Sequence, residues 1–221
     1  MVRIAFAARG RYSPPAVKPT PPPIRYEEMA PTPPEGEVSL PALIEGTGPI
    51  ELDVGFGRGR SFLERAAQTD EVRLIGVEIK AKWAYRVEQR RVREGFAHAR
   101  AYRADVRDLL ARSGPAGCLS RVYVHFPDPW WKKRHHKRMV VTDTFLDDLA
   151  RLLAPGGELF VQTDVEERAD AYEATVAAHD AFVPAADGWR VEANPTGARS
   201  NREVRAEEDG LPVYRILARR R

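Results

Sequence analysis

The 221-residue chain has little of what would place it in an oxidising compartment or in a membrane. It holds one cysteine, Cys118, so it closes no internal disulfide and offers no cysteine cluster to a structural zinc ion. No uninterrupted apolar stretch approaches the ~20 residues needed to cross a bilayer. The opening MVRIAFAARG is broken by Arg9 before its apolar centre is long enough for a signal peptide. Charge of one sign is scarce as well: 35 Lys+Arg against 32 Asp+Glu give a net +3, too small by itself to indicate a polyanionic partner. No internal repeat is evident. The expectation is a cytoplasmic protein that uses neither membrane nor metal. An apolar fraction of 43% suffices for a sizeable core and excludes disorder throughout.

Proline is abundant and unevenly spread. Ten of the 18 prolines fall between Pro14 and Pro41, and because proline fixes φ and removes a backbone donor, this stretch excludes regular helix or central strand. Residues 1–48 are therefore read as an extended or disordered arm, with packing on the domain as the alternative, and 49–221 as the folded domain. From Pro49 onward, the strand candidates IELDV, VRLIGV, ARAYRA, RVYVHF and ELFVQT alternate with amphipathic stretches. Phe145, Leu149, Leu152 and Leu153 share one helical stripe, as do Val165, Ala169, Tyr172 and Val176. Strand and helix in alternation predict an α/β fold with a parallel sheet covered on both faces. VYRILARR at 213–220 is the last strand candidate.

Asp53-Val54-Gly55-Phe56-Gly57-Arg58-Gly59 stands where the first of these strands ends and a helix begins. Glycines there let the backbone approach a ligand at the helix N-terminus. The GxGxG spacing departs from the GxGxxG dinucleotide fingerprint, which requires a glycine where Arg60 stands. Nucleotide, flavin and S-adenosylmethionine sites all use such turns. Further acids, Glu78, Asp105 and Asp128, follow successive strand candidates, and in an open α/β sheet those ends converge on one crevice. An acid after the second strand accepts ribose hydroxyls from NAD and S-adenosylmethionine alike.

The remaining charge is concentrated. After His125-Phe126-Pro127-Asp128-Pro129-Trp130-Trp131 comes Lys132-Lys133-Arg134-His135-His136-Lys137-Arg138. Five Lys/Arg in seven positions account for +5, so the rest of the chain carries −2. Such a cluster beside two tryptophans suits phosphate neutralisation with stacking on an unpaired base. Asp128 between two prolines sits on a stiffened backbone, fit to orient a substrate. His125 reads as a core or supporting residue. Arg215, Arg219, Arg220 and Arg221 at the tail are a second candidate phosphate contact.

From about Ile50 onward, LDVGFGRG, IGVEIK, FPDPWWKKRHHKR and LAPGGELFVQTD resemble the bacterial tRNA (guanine-N7) methyltransferases of the TrmB type. The resemblance implies a Rossmann-like class I methyltransferase fold with a mostly parallel seven-stranded sheet. It also implies S-adenosylmethionine as donor and N7 of a guanine in the tRNA variable loop as acceptor. Carried over by motif, Asp53, Gly55, Gly57, Glu78, Asp105 and Asp128 match the cofactor site, and Asp128 is also the family's catalytic residue. Lys132 and Asp164 match substrate-binding positions, and Lys133, Arg134, His135, His136, Lys137 and Arg138 an RNA-contacting stretch. Near the end, Ser200-Asn201-Arg202-Glu203 stands where the family shows T-x-Y/F-E, also assigned to substrate; Arg202 replaces the aromatic. The family has monomers and dimers, and a monomer is expected here. The rival readings are methylation of a different RNA base, an RNA-binding protein on a decayed cofactor fold, and an NAD-dependent oxidoreductase.

Overall fold

The computed structural model describes residues 24–127 and 139–221. The first described elements are a single helical turn, α1 (Tyr26–Met29), and a two-residue strand, β1 (Val38–Ser39), followed by a 3-10 turn at Leu40–Leu43. The α/β body follows: β2 (Ile50–Val54), α2 (Arg60–Gln68), β3 (Arg73–Glu78), α3 (Ala81–Arg93), β4 (Ala99–Arg103), α4 (Val106–Ala111), β5 (Ser113–Gly114) and β6 (Leu119–His125). After the basic segment come α5 (Asp143–Leu152), β7 (Leu153–Thr163), α6 (Glu166–Ala177), β8 (Phe182–Pro184), α7 (Asn201–Glu208) and β9 (Tyr214–Arg220). Seven strands form one sheet in the order β4-β3-β2-β6-β7-β9-β8, and β1 pairs with β5 beside it. From β4 to β7 every pairing is parallel, and β9 runs antiparallel to both β7 and β8.

The sheet is central because its strands have two apolar faces. All five residues of β2 are buried, the near-continuous pattern expected when helices cover both sides. On β3, Ile75 and Val77 enter one core cluster with Phe145 and Leu149 of α5, whereas Leu74 enters another with Phe62 of α2 and Val87 of α3. That split follows from the two-residue period of a strand. Glu51 of β2 is buried without being stranded, since Arg65 of α2 grips both its oxygens at 2.8 Å and the Tyr123 hydroxyl donates to it at 2.8 Å. Those partners satisfy both oxygens of a carboxylate that the fold has taken out of water.

The five strand candidates in the body and the last one all form strands. Leu153, read as part of a helical stripe, begins β7 instead; α5 stops at Leu152 with its cap already extended. The arm is described only in its second half. Residues 1–23 lie outside the described residues, but 24–48 pack on the body: Ala30, Val38, Leu40, Leu43 and Ile44 are buried. A proline-rich chain offers carbonyls with few donors, and the body supplies the donors. Arg103 N reaches Pro31 O at 2.7 Å, the Arg112 guanidinium reaches Pro34 O and Gly36 O, and the Tyr102 hydroxyl reaches Leu43 O at 2.6 Å.

Candidate functional site

The crossovers diverge between β2 and β6, one series running through β3 to β4 and the other to β7. In such a sheet the crevice lies at the C-terminal ends of the strands beside that divergence. There the glycine turn leaves β2, with Gly55, Gly57 and Gly59 at φ of +69°, +56° and +75°. Gly59 caps α2 in the left-handed region, and a Cβ on it would meet Val87 of α3 at 2.4 Å. Glycine is required there by conformation and by space together.

Glu78, at the end of β3, is held from two sides: Gly57 N donates to its Oε2 at 2.9 Å and Lys80 N to its Oε1 at 2.8 Å. Each oxygen keeps a lone pair for another donor. Ile79, next in sequence, is 61% exposed, an uncovered apolar side chain beside the carboxylate. Asp53, at the end of β2, is 2% exposed. Its Oδ2 accepts from Ser61 Oγ at 3.2 Å, and its Oδ1 has no partner among the described residues. Burial pushes its carboxyl up to about 7, against the opposing Ser61 hydrogen bond and with some help from the neighbouring Glu78 charge. Asp105 caps α4 by accepting from Arg107 N at 3.0 Å. The side-chain hydrogen bonds from Arg107 hold its carboxyl below the ordinary range.

At the end of β6 the backbone is strained. Phe126 has φ of +48° although it is not glycine and precedes Pro127, a combination that costs about 1–3 kcal/mol and recurs at functional sites. Its N–H donates to Gln162 O at 2.8 Å. Asp128, Lys132 and Lys133 to Arg138 all lie outside the described residues. His125 Nδ1 stands 2.8 Å from Gln162 Nε2; the amide donates and the ring accepts, which leaves the proton of the neutral ring on Nε2. Burial lowers the His125 pKa to about 4, with the Glu203 charge opposing. A cavity of about 10 Å³ is lined by Asp53, Ser61, Tyr123 and His125 among others, so the ends of β2 and β6 share one small space.

The C-terminal candidates separate into an inner and an outer pair. Glu203 is 1% exposed; its Oε1 accepts from Arg215 at 2.9 Å, and its Oε2 from Gln162 at 2.9 Å and from Ser200 N at 3.3 Å. Ser200 Oγ in turn accepts from Glu203 N at 3.1 Å, completing a capping box for α7. Ser200 and Glu203 therefore build the start of α7. Asn201 is exposed, and Arg202 forms an ion pair with Asp164, just past β7. Three of the tail arginines have partners in the domain: Arg215 pairs with Glu203, the exposed Arg219 with Glu158, and Arg220 donates to Ala150 O. Sequence reasoning passed over Ile79 and Gln162. An apolar residue directly after a strand-end acid was the available signal for the first; for the second there was none, because its partners come from β6 and α7.

The family described as "Putative methyltransferase" matches residues 47–216. The tRNA (guanine-N(7)-)-methyltransferase of Synechococcus sp. (strain JA-3-3Ab) is 37% identical over 173 residues, 78% of this chain and 73% of that protein. Its namesake from Myxococcus xanthus is 34% identical over 76% of this chain and 82% of that one. Among solved structures, TrmN from Thermus thermophilus shares the fold with a TM-score of 0.56 at 20% identity, covering 82% of this chain and 47% of that chain.

Proposed function

Because the chain belongs to the tRNA (guanine-N7)-methyltransferase family, we propose that the crevice between the glycine turn and Glu78 takes S-adenosylmethionine and presents its methyl group to a guanine of the tRNA variable loop. The activity is transfer of a methyl group from S-adenosylmethionine to N7 of guanine in tRNA. One observation carries the site reading. Glu78 is pinned by two backbone N–H groups with a free lone pair on each oxygen, the arrangement that receives two vicinal hydroxyls, and Ile79 offers an open apolar surface beside it for a planar base. Asp53 has an unpartnered buried oxygen, fit for a cationic group such as the donor's ammonium.

When bound, the donor supplies a methyl on a sulfonium sulfur, which departs as the neutral thioether. Guanine N7 carries an in-plane lone pair and no proton, so the protein has no proton to remove before attack. Its contribution is alignment, with the reacting centres held ~3–3.5 Å apart. Asp128 accepts from the N–H groups of the guanine and orients the ring. The strained Phe126 lies two residues before Asp128 at the end of β6. Lys132 and the run Lys133 to Arg138 hold phosphates. Asp164 and Arg202 contact substrate at the outer edge, and Glu203 positions them by anchoring α7. The functional unit extends from residue 24 to the C-terminus and works as a monomer in the cytoplasm. No helix among the described residues is long and apolar enough to cross a membrane.

The test of the site reading is Asp128→Asn. Turnover at saturating tRNA and donor falls by two orders of magnitude or more while tRNA affinity holds. Near-normal turnover with unchanged tRNA binding contradicts the assignment.

A further inference from the structure

The glycine turn and α3 bring three cations onto one indole. The Arg58 guanidinium lies 5.3 Å, the Lys82 ammonium 5.5 Å and the Arg86 guanidinium 5.7 Å from the centroid of the Trp83 ring. The three cations are exposed and the ring is half-buried. None of the three has a carboxylate partner among the described residues; Arg86 instead donates to the Tyr26 hydroxyl at 3.4 Å. The π-face attracts each cation but does not cancel its charge. Along α3, Lys82, Arg86 and Arg90 follow at intervals of four, a spacing at which like charges oppose helix formation. The whole stretch 80–94 carries six Lys/Arg against two acids. A surface that collects like charge at a cost to its own helix is complementary to an external polyanion.

A groove of about 520 Å³ adjoins this patch. Arg58, Arg60 and Arg90 line it, and it reaches Asn201 at the start of α7. Arg60 and Arg90 are paired there with Glu64 and Glu94 at 2.7 and 2.6 Å, which leaves Arg58 as the uncompensated cation. The groove thus runs from the cation cluster to the segment that carries Arg202. Arg90 sits nine residues into α3, roughly 13 Å along its axis at 1.5 Å per residue, so the surface is long enough to follow several phosphates.

We propose that the Arg58, Lys82, Trp83 and Arg86 cluster, with the groove beside it, is a second RNA-binding surface that holds the phosphodiester backbone of the tRNA away from the reacting guanine. The proposal rests on tRNA being the substrate. Phosphate contacts of this kind set register and orientation without reading sequence. They add affinity and salt dependence and leave the chemical step untouched.

The experiment uses the full chain with Lys82→Ala and Arg86→Ala combined, and a second variant with Lys82→Gln and Arg86→Gln that keeps the side-chain stems over the ring. The affinity for unmodified tRNA is measured by fluorescence anisotropy across a salt series. Donor affinity is measured by calorimetry, and turnover at saturating tRNA alongside. Both variants bind tRNA roughly tenfold more weakly near 0.1 M salt, and the log–log salt slope falls by about 1.4 to 1.8, at about 0.7–0.9 per lost phosphate contact. Donor affinity and saturated turnover stay at the parent's values. Parent-like tRNA affinity and salt slope in the glutamine variant overturn the proposal. So does retained tRNA affinity accompanied by lost binding to phosphatidylglycerol vesicles, which assigns the patch to a lipid surface. A parent protein that fails to methylate tRNA overturns the functional reading itself, whereas a methylating parent whose variants keep its tRNA affinity and salt slope overturns this surface alone.

Discussion

Gln162 donates from its Nε2 to Glu203 Oε2 at 2.9 Å, joining the end of β7 to the first turn of α7. The second hydrogen on the same nitrogen goes to His125. One amide therefore ties the end of β6, from which the Asp128 segment departs, to the helix that carries Arg202.

Removing Glu203 takes the carboxylate from the largely buried Arg215, which keeps only the Glu192 and Val213 carbonyls as acceptors. Glu203→Ala is expected to cost about 3–5 kcal/mol and to lower Tm by roughly 10 °C, measured by urea and thermal unfolding. A direct substrate contact with no structural role would leave both near the parent's values.

Glu78→Gln replaces one oxygen with an NH2 group that must face either Gly57 N or Lys80 N, each already a donor. Donor binding weakens by roughly ten- to a hundredfold, since hydrogen bonds to a charged group contribute about 1.5–3 kcal/mol each. Calorimetric titration with S-adenosylmethionine checks this, and an unchanged Kd removes Glu78 from the site.

Asp53 and His125 shape the pH dependence of stability in opposite senses. The Asp53 carboxyl is raised from 3.8 to about 7, so the stability it contributes is full below pH 3.8 and is lost as pH rises toward 7. The His125 ring is lowered from 6.5 to about 4, so its contribution is full above pH 6.5 and is lost as pH falls toward 4. The two trends offset each other in the parent between pH 4 and 6.5. Asp53→Asn leaves the histidine trend, and stability climbs with pH; His125→Gln leaves the carboxyl trend, and stability falls with pH. Denaturant midpoints across that window give both slopes, and identical slopes in the two variants contradict the pairing.

Arg202 is half-exposed and covers Asp164. Arg202→Ala changes stability by no more than about 1 kcal/mol, the usual range for exposed ion pairs, and raises KM for tRNA severalfold with little change in kcat. A fall in kcat at unchanged KM would place Arg202 in the chemical step instead.

The sheet was legible because its strands are buried on both faces and appear as short apolar runs with acids at their ends. Asp53, Glu78 and the glycine turn were legible for the same reason. The inward turn of Glu203 was not: the Ser200–Glu203 spacing is a capping-box signature, but its burial depends on Arg215 and on Gln162, which the sequence places far apart. Proline content kept residues 24–48 to short turns, the helical turn at Tyr26–Met29 and a 3-10 turn at Leu40–Leu43, and it carried no information on whether the chain would find donors such as Arg103 and Arg112 to dock on. β8 escaped notice because three residues are too few for a period to register.

The most direct test of the account is incubation of unmodified tRNA with methyl-labelled S-adenosylmethionine and this protein, followed by nucleoside mapping of the label. Label is expected in 7-methylguanosine at a single guanine of the variable loop, lowered roughly ten- to a hundredfold by the Glu78→Gln change at limiting donor. Absence of label, or label on another atom or base, contradicts it.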